Sequence, residues 1–259
     1  MKKTGLLAAL VSLAFPLMAQ ADNTACPGAI YMSPNGSLRA GSFSSSTEKR
    51  WFTFEGRAGR SYVITVENMS PADVQAGVAI LDFMSDCAGT SLPAGSILRS
   101  GHADEPIVGT SAGGGDRLAI LTPTSEGSTI YVSVKGFAAG GTFQVRVEDT
   151  TLFSDWFYVG GDYGAFTLLR NTTNSTGVFF TIRWRDGSGA ILATYSGSLN
   201  ANGSVYKNGA ELPAVLAAAT GTVEIVHNGP PDAIVANTTV LSPTSGLSFD
   251  APFLKRVTR

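Results

Sequence analysis

Apolar and polar positions alternate one for one through most of this chain. In Trp51-Phe52-Thr53-Phe54-Glu55 the two phenylalanines share one face and Thr53 and Glu55 the other. Tyr62, Ile64 and Val66 line one side of their segment, and Ile130, Val132 and Val134 alternate with Tyr131, Ser133 and Lys135. Phe143, Val145 and Val147 alternate with Gln144, Arg146 and Glu148. A period of two is that of a strand with one buried and one wet face. Turns separate the segments at 55–59, 113–116 and 140–141. After Glu148-Asp149-Thr150-Thr151 the pattern restarts, with strands expected over 166–170, 179–185, 191–195, 223–226 and 233–237. Asp186-Gly187-Ser188-Gly189 reads as a hairpin turn and Ala201-Asn202-Gly203-Ser204 as another. Only Glu211 to Ala219 has room for a helical turn or two, with Pro213 suited to its start. Many short strands with regular turn signals predict an all-β chain of two tandem antiparallel β-sandwich domains, residues 22–149 and 150–259.

The first residues break this pattern. Met1-Lys2-Lys3-Thr4 precedes an apolar run from Gly5 to Met18 and then Ala19-Gln20-Ala21. A basic start, a short apolar stretch and a small-x-small site are the parts of a Sec-type signal peptide, here residues 1–21, cleaved after Ala21. The run is too short to span a bilayer, which takes about 20 apolar residues. Cys26 follows Asn23-Thr24-Ala25, and these polar neighbours exclude a lipidation signal. The short Lys-Lys leader resembles bacterial ones and implies export to the periplasm or the exterior. Without Lys2 and Lys3, 16 basic residues face 20 acidic ones, a formal charge of −4. No basic cluster stands out, so nucleic acid is an unfavoured partner. In an oxidising compartment Cys26 and Cys87 are expected to pair.

Arg50 to Gly56, followed by Gly59-Arg60-Ser61-Tyr62-Val63-Ile64-Thr65-Val66, resembles the opening of bacterial pre-peptidase C-terminal (PPC) domains. Ala79-Ile80-Leu81-Asp82 is similar to that family's aspartate-bearing strand. Residues 127–134 and 141–147 resemble its closing hairpin. The resemblance covers about residues 28–149 and implies a jelly-roll-like sandwich attached to secreted proteins, without catalysis. Some domains of this kind hold calcium, which makes Asp82, Asp86, Asp104 and Asp116 candidate ligands, although no D-x-D-x-D run is present. The second half, with Trp184-Arg185-Asp186 and then Asn202-Gly203-Ser204, is similar to immunoglobulin-like modules of bacterial surface proteins.

Candidate chemistry is sparse. Ser100, His102 and Asp104 invite comparison with a catalytic triad, but neighbours in one loop seldom supply that geometry, and a solvated loop is the expectation. His227, before Asn228-Gly229-Pro230, reads as a strand end. Gly113-Gly114-Gly115-Asp116 lacks the Gly-Lys-Ser/Thr ending of a phosphate loop and reads as a strand connection. With both cysteines bridged, no zinc set of ordinary ligands is expected. The most aromatic segment, Asp155 to Tyr163, offers Trp156, Tyr158 and Tyr163 as ligand contacts; rings at this density are more often buried, and a core plug at the junction is the favoured reading. The expected function is that of an exported, non-catalytic binding or accessory module for an envelope protein or glycan. The alternatives are a secreted hydrolase on a β-sandwich scaffold and a structural subunit of a surface assembly.

Overall fold

The structure is a computed structural model that describes residues 23–45, 47–68, 80–84, 86–88, 97–102, 115–121, 127–135, 140–174 and 177–255. Residues 1–21, read above as a signal peptide, and Asp104 lie outside these residues. The first half contains β1 (Ile30–Tyr31), β2 (Arg39–Ser42), β3 (Lys49–Gly56), β4 (Ser61–Asn68), β5 (Ile80–Met84), β6 (Ile97–His102), β7 (Gly115–Leu121), β8 (Ser128–Lys135) and β9 (Thr142–Asp149). They form two sheets, ordered β1-β3-β8-β5 and β2-β9-β4-β7-β6. The second half contains β10 (Leu152–Tyr158), β11 (Gly164–Asn171), β12 (Val178–Arg185), β13 (Ile191–Leu199), β14 (Ser204–Asn208), α1 (Pro213–Ala218), β15 (Thr220–His227), β16 (Ile234–Leu241), β17 (Ser248–Pro252) and β18 (Leu254–Lys255). Its sheets are ordered β13-β12-β15-β10-β18 and β14-β11-β16-β17. Among the described residues no sheet mixes strands from the two halves. The pairing is antiparallel apart from the two-residue contact of β1 with β3.

The alternation read from the sequence places each core. In the first half Phe52 and Phe54 of β3 and Ile130, Val132 and Val134 of β8 face Tyr62, Ile64 and Val66 of β4 and Phe143, Val145 and Val147 of β9. Each such side chain fully buried contributes roughly 1.5–3 kcal/mol. Tyr62 keeps its hydroxyl satisfied by accepting the Arg57 N–H at 2.8 Å, and burial pushes its pKa up to about 12. In the second half Trp184, Ile182 and Phe180 of β12, Val223 and Ile225 of β15 and Phe157 of β10 pack toward Leu169 of β11 and Val240 of β16. Thr167 and Thr238, opposite each other in β11 and β16, bury their hydroxyls together at 3.1 Å.

The turn at Asp186 forms as the sequence predicts. The Asp186 carboxylate accepts the N–H groups of Ser188 at 2.8 Å and Ala190 at 3.0 Å, and Gly189 takes a φ of 89°. Those hydrogen bonds, led by the one from the Ser188 hydroxyl, hold its pKa below the usual carboxylate range. Cys26 and Cys87 form a disulfide with their Cα atoms 5.4 Å apart, tying the N-terminal 3-10 turn Cys26–Gly28 to the segment after β5.

The connection between the halves is buried. Thr150 and Thr151 are inaccessible to solvent, and Asp149 and Leu152 nearly so. Ser61 is hydrogen-bonded to both threonines: its N–H donates to Thr151 Oγ1 at 3.0 Å, and its carbonyl accepts from Thr150 N at 3.0 Å. Arg60 pairs with Asp149 at 2.7 Å and lies 5.3 Å from the centre of the Phe153 ring. Across the junction Arg183 donates to the carbonyl of Gly59. Among the described residues no helix is long and apolar enough to cross a membrane.

Candidate functional site

The aromatic segment occupies β10, and a β-bulge decides which of its rings face outward. Ser154 pairs with Val223 and Phe157 with Gly221, so β10 takes three steps where β15 takes two. The extra residue lets Asp155 and Trp156 both face outward before Phe157 turns in. Phe157 is fully buried, and Gly221 opposite leaves room for both the Arg185 carbonyl and this ring, since a Cβ there would overlap the Arg185 oxygen and stand 2.9 Å from the Phe157 ring. Trp156 and Tyr158 remain 41% and 37% exposed. The core plug expected of this segment is therefore Phe157 and Val159, with Tyr163 partly buried against them, while Trp156 and Tyr158 face solvent.

The exposed rings are held in place. Trp156 and Tyr158 are parallel to within 10°, with centroids 6.4 Å apart. Tyr158 meets Tyr163 edge-on at 5.8 Å. Tyr163 sits in the Gly160–Tyr163 turn, closed by hydrogen bonds of 3.2 and 3.0 Å, with Gly161 at a φ of 61°. The Tyr158 hydroxyl lies over Gly160, where a Cβ would come within 2.9 Å of it. Polar residues border the row: Asp155 is exposed beside Trp156, and Thr220 is the cross-strand partner of Tyr158. The Thr220 hydroxyl is bonded back to the Phe157 carbonyl at 2.9 Å.

Two further surfaces of the second half carry exposed apolar side chains. A groove of about 450 Å³ crosses β12, β13 and β15, with Phe179, Thr181, Ser196, Ser198 and Val226 on its walls. Phe179 is 59% exposed, and Thr181 and Ser196 are hydrogen-bonded to each other at 2.8 Å. On the opposite sheet Leu168 pairs with Tyr206, and both are exposed. Sequence reasoning singled out neither surface. Phe179 and Leu168 stand in apolar runs, where periodicity does not tell the inner face from the outer.

The ionisable candidates among the described residues fall on different sheets. Asp82 lies in β5, opposite Ser133 of β8, in one sheet of the first half. Asp116 lies in β7, opposite His102 of β6, in the other sheet. Ser100 and His102 thus belong to a strand, where a loop was expected, and Gly115 and Asp116 begin a strand. The reason is that β6 has a partner in β7, and pairing outweighs a locally polar sequence. Asp86 uses its carboxylate to accept the Ala88 N–H at 2.9 Å. No group of three metal-ligating side chains assembles among the described residues.

His227 ends β15 as expected; it is buried beside the junction at the edge of the groove, and its Nδ1 finds no hydrogen-bond partner among the described residues. Burial, aided by the charge of Lys255, lowers its pKa to about 4, against opposing effects of a Thr150 backbone hydrogen bond and of Asp232. Its ring is therefore neutral near pH 7. Glu224 is also buried, paired with Arg183 at 2.7 Å and Arg185 at 3.3 Å.

No protein-family model matches this chain, and no curated protein matches it. Among solved structures, a β-glucuronidase from glycoside hydrolase family 2 is similar over 82% of this chain at 10% identity, with a TM-score of 0.16. The chain spans 25% of that structure's length. A likeness of that size carries neither fold nor activity across.

Proposed function

We propose that this chain is an exported, non-catalytic binding or accessory protein of the bacterial envelope, made of two tandem sandwiches. The leader-like residues 1–21 and the disulfide support export. The observation that carries binding is the pair of parallel, exposed rings of Trp156 and Tyr158, fixed from behind by Tyr163 and Gly160. Rings held in place before a ligand arrives lose little entropy on binding. A bait of the mature chain tests it against an envelope extract of the producing organism. Specific capture of a protein or glycan by the wild type, lost in Trp156→Ala/Tyr158→Ala, is expected. Capture indifferent to both rings, or turnover of a substrate, would overturn it.

A second reading, a subunit joined by strand addition, is favoured by β13. It is the nine-residue edge of its sheet and contains neither a charge nor a proline, the usual protections of an edge. A concentration-dependent increase in mass, abolished by Ser196→Lys, is its expected signature in light scattering.

A further inference from the structure

We infer that the Trp156–Tyr158 row takes a neutral saccharide, one pyranose face lying against the rings. The inference rests on the binding reading above and names the ligand class of the same surface. Area argues against a folded protein as the occupant. An aromatic side chain brings 150–250 Å² at most, so rings 41% and 37% exposed offer roughly 120–195 Å² together. A stable protein interface takes roughly 800 Å² from each partner. One or two sugar rings match the smaller figure.

The chemistry of the row fits a polyol. The C–H groups on one side of a pyranose form an apolar, slightly positive surface, which complements the negative face of an aromatic ring. Hydroxyls around the rim of that sugar need polar partners at the edges of the platform. The exposed Asp155 carboxylate stands beside Trp156, and the phenol of Tyr158 reaches over Gly160. Charge selects the kind of glycan. Asp155 is on this face, and the mature chain carries more acid than base. The neighbouring cation on β12, Arg185, is spent on Glu224 and on the Gly189 carbonyl at 2.8 Å. An anionic polysaccharide would thus meet the Asp155 carboxylate, while Arg185 is already engaged.

The device depends on the bulge. With a regular β10, Trp156 and Tyr158 would still share a face, but Asp155 would fall on the opposite one. The extra residue sets carboxylate and rings side by side on the solvent side.

Affinity electrophoresis of the mature chain tests the inference, with native gels cast in neutral polymers (hydroxyethylcellulose, laminarin, glycogen) and acidic ones (polygalacturonate, dextran sulfate). At least one neutral polymer is expected to retard the wild type. Trp156→Ala and Tyr158→Ala should each weaken the retardation about tenfold, while Tyr158→Phe, which loses the hydroxyl but keeps the stacking face, should weaken it much less. Far-UV circular dichroism and a urea midpoint close to that of wild type establish that each variant is folded. Retardation by acidic polymers alone, or unchanged retardation in folded Trp156→Ala, overturns the inference. If the envelope bait captures a component through these two rings while no neutral polymer retards the chain, the saccharide is overturned and the binding reading stands. If neither experiment shows binding, both fall.

Discussion

Arg183 and Glu224 face each other across β12 and β15 with Nη1 and Oε1 2.7 Å apart, and both side chains are buried. The same guanidinium donates to the Gly59 carbonyl of the first half, so one ion pair serves both a sheet and the junction between the halves. Arg183→Ala would leave Glu224 to the half-exposed Arg185 and strip the Gly59 carbonyl of this donor. A loss of about 3 kcal/mol or more is expected, because an uncompensated buried charge costs more than the pair contributes. Urea unfolding measures it. Arg183→Met combined with Glu224→Leu should be milder than Arg183→Ala, since no buried charge is stranded. Equal midpoints for Arg183→Ala and wild type would show that the pair holds nothing.

His227 makes the same junction sensitive to acid. Its folded pKa of about 4 lies below the ordinary 6.5, so the unfolded chain takes up the proton more readily. The stabilising effect of a neutral His227 is therefore complete above pH 6.5 and is lost as pH falls toward 4. The shift corresponds to about 3 kcal/mol over that window. In a series of urea titrations from pH 7 to pH 4, His227→Gln should show a flatter decline than wild type. Parallel curves for the two proteins would refute the assignment.

The disulfide holds the start of the first half against the segment after β5. Its two cysteines are 61 positions apart, and closing a loop of that length is worth about 4 kcal/mol in the chain-entropy model. Adding a reductant, or making Cys26→Ala/Cys87→Ala, should lower the thermal midpoint of the first half, while the packing around Trp184 in the second is retained. Differential scanning calorimetry read alongside near-UV circular dichroism separates the two. An unchanged midpoint on reduction would contradict this.

The sequence was most legible where alternation was clean. Phe52, Phe54, Ile64, Val66, Val132 and Val145 all face inward on the phase read from the chain, and the cysteine pair expected from their even number forms. Legibility failed where a strand is apolar on both faces or carries a bulge. Phe179 and Phe180 are neighbours of equal hydropathy, yet the first is exposed and the second buried. Thr167 is buried while Leu168 beside it is exposed, because Thr167 has a hydroxyl partner in Thr238 across the strand pair. Arg183, polar in sequence, is buried because the turn around Gly59 covers that face. The aromatic row was named residue by residue, but its exposure depends on the extra residue between Ser154 and Phe157, and that appears only once β10 is paired with β15. Contacts between segments far apart in the chain leave no local signal.

Gly160 gives the most direct check on whether the aromatic row is held in place. A methyl group there would stand 2.9 Å from the Tyr158 hydroxyl oxygen and 3.2 Å from the ring carbon bearing it. The backbone at Gly160 does not require a glycine, for it lies outside the positive-φ positions, so the side chain of Tyr158 alone explains the residue. Gly160→Ala should therefore fold with a stability within about 1 kcal/mol of wild type, but with Tyr158 pushed out of line with Trp156. The expected result is an altered near-UV circular dichroism spectrum and weaker ligand retention. Tyr158→Phe removes the oxygen that the methyl meets, so the double variant Tyr158→Phe/Gly160→Ala should recover much of what Gly160→Ala loses. That recovery separates a held ring from a merely exposed one. If Gly160→Ala has the wild-type spectrum and retention, the turn does not position Tyr158 and the row is not preorganised.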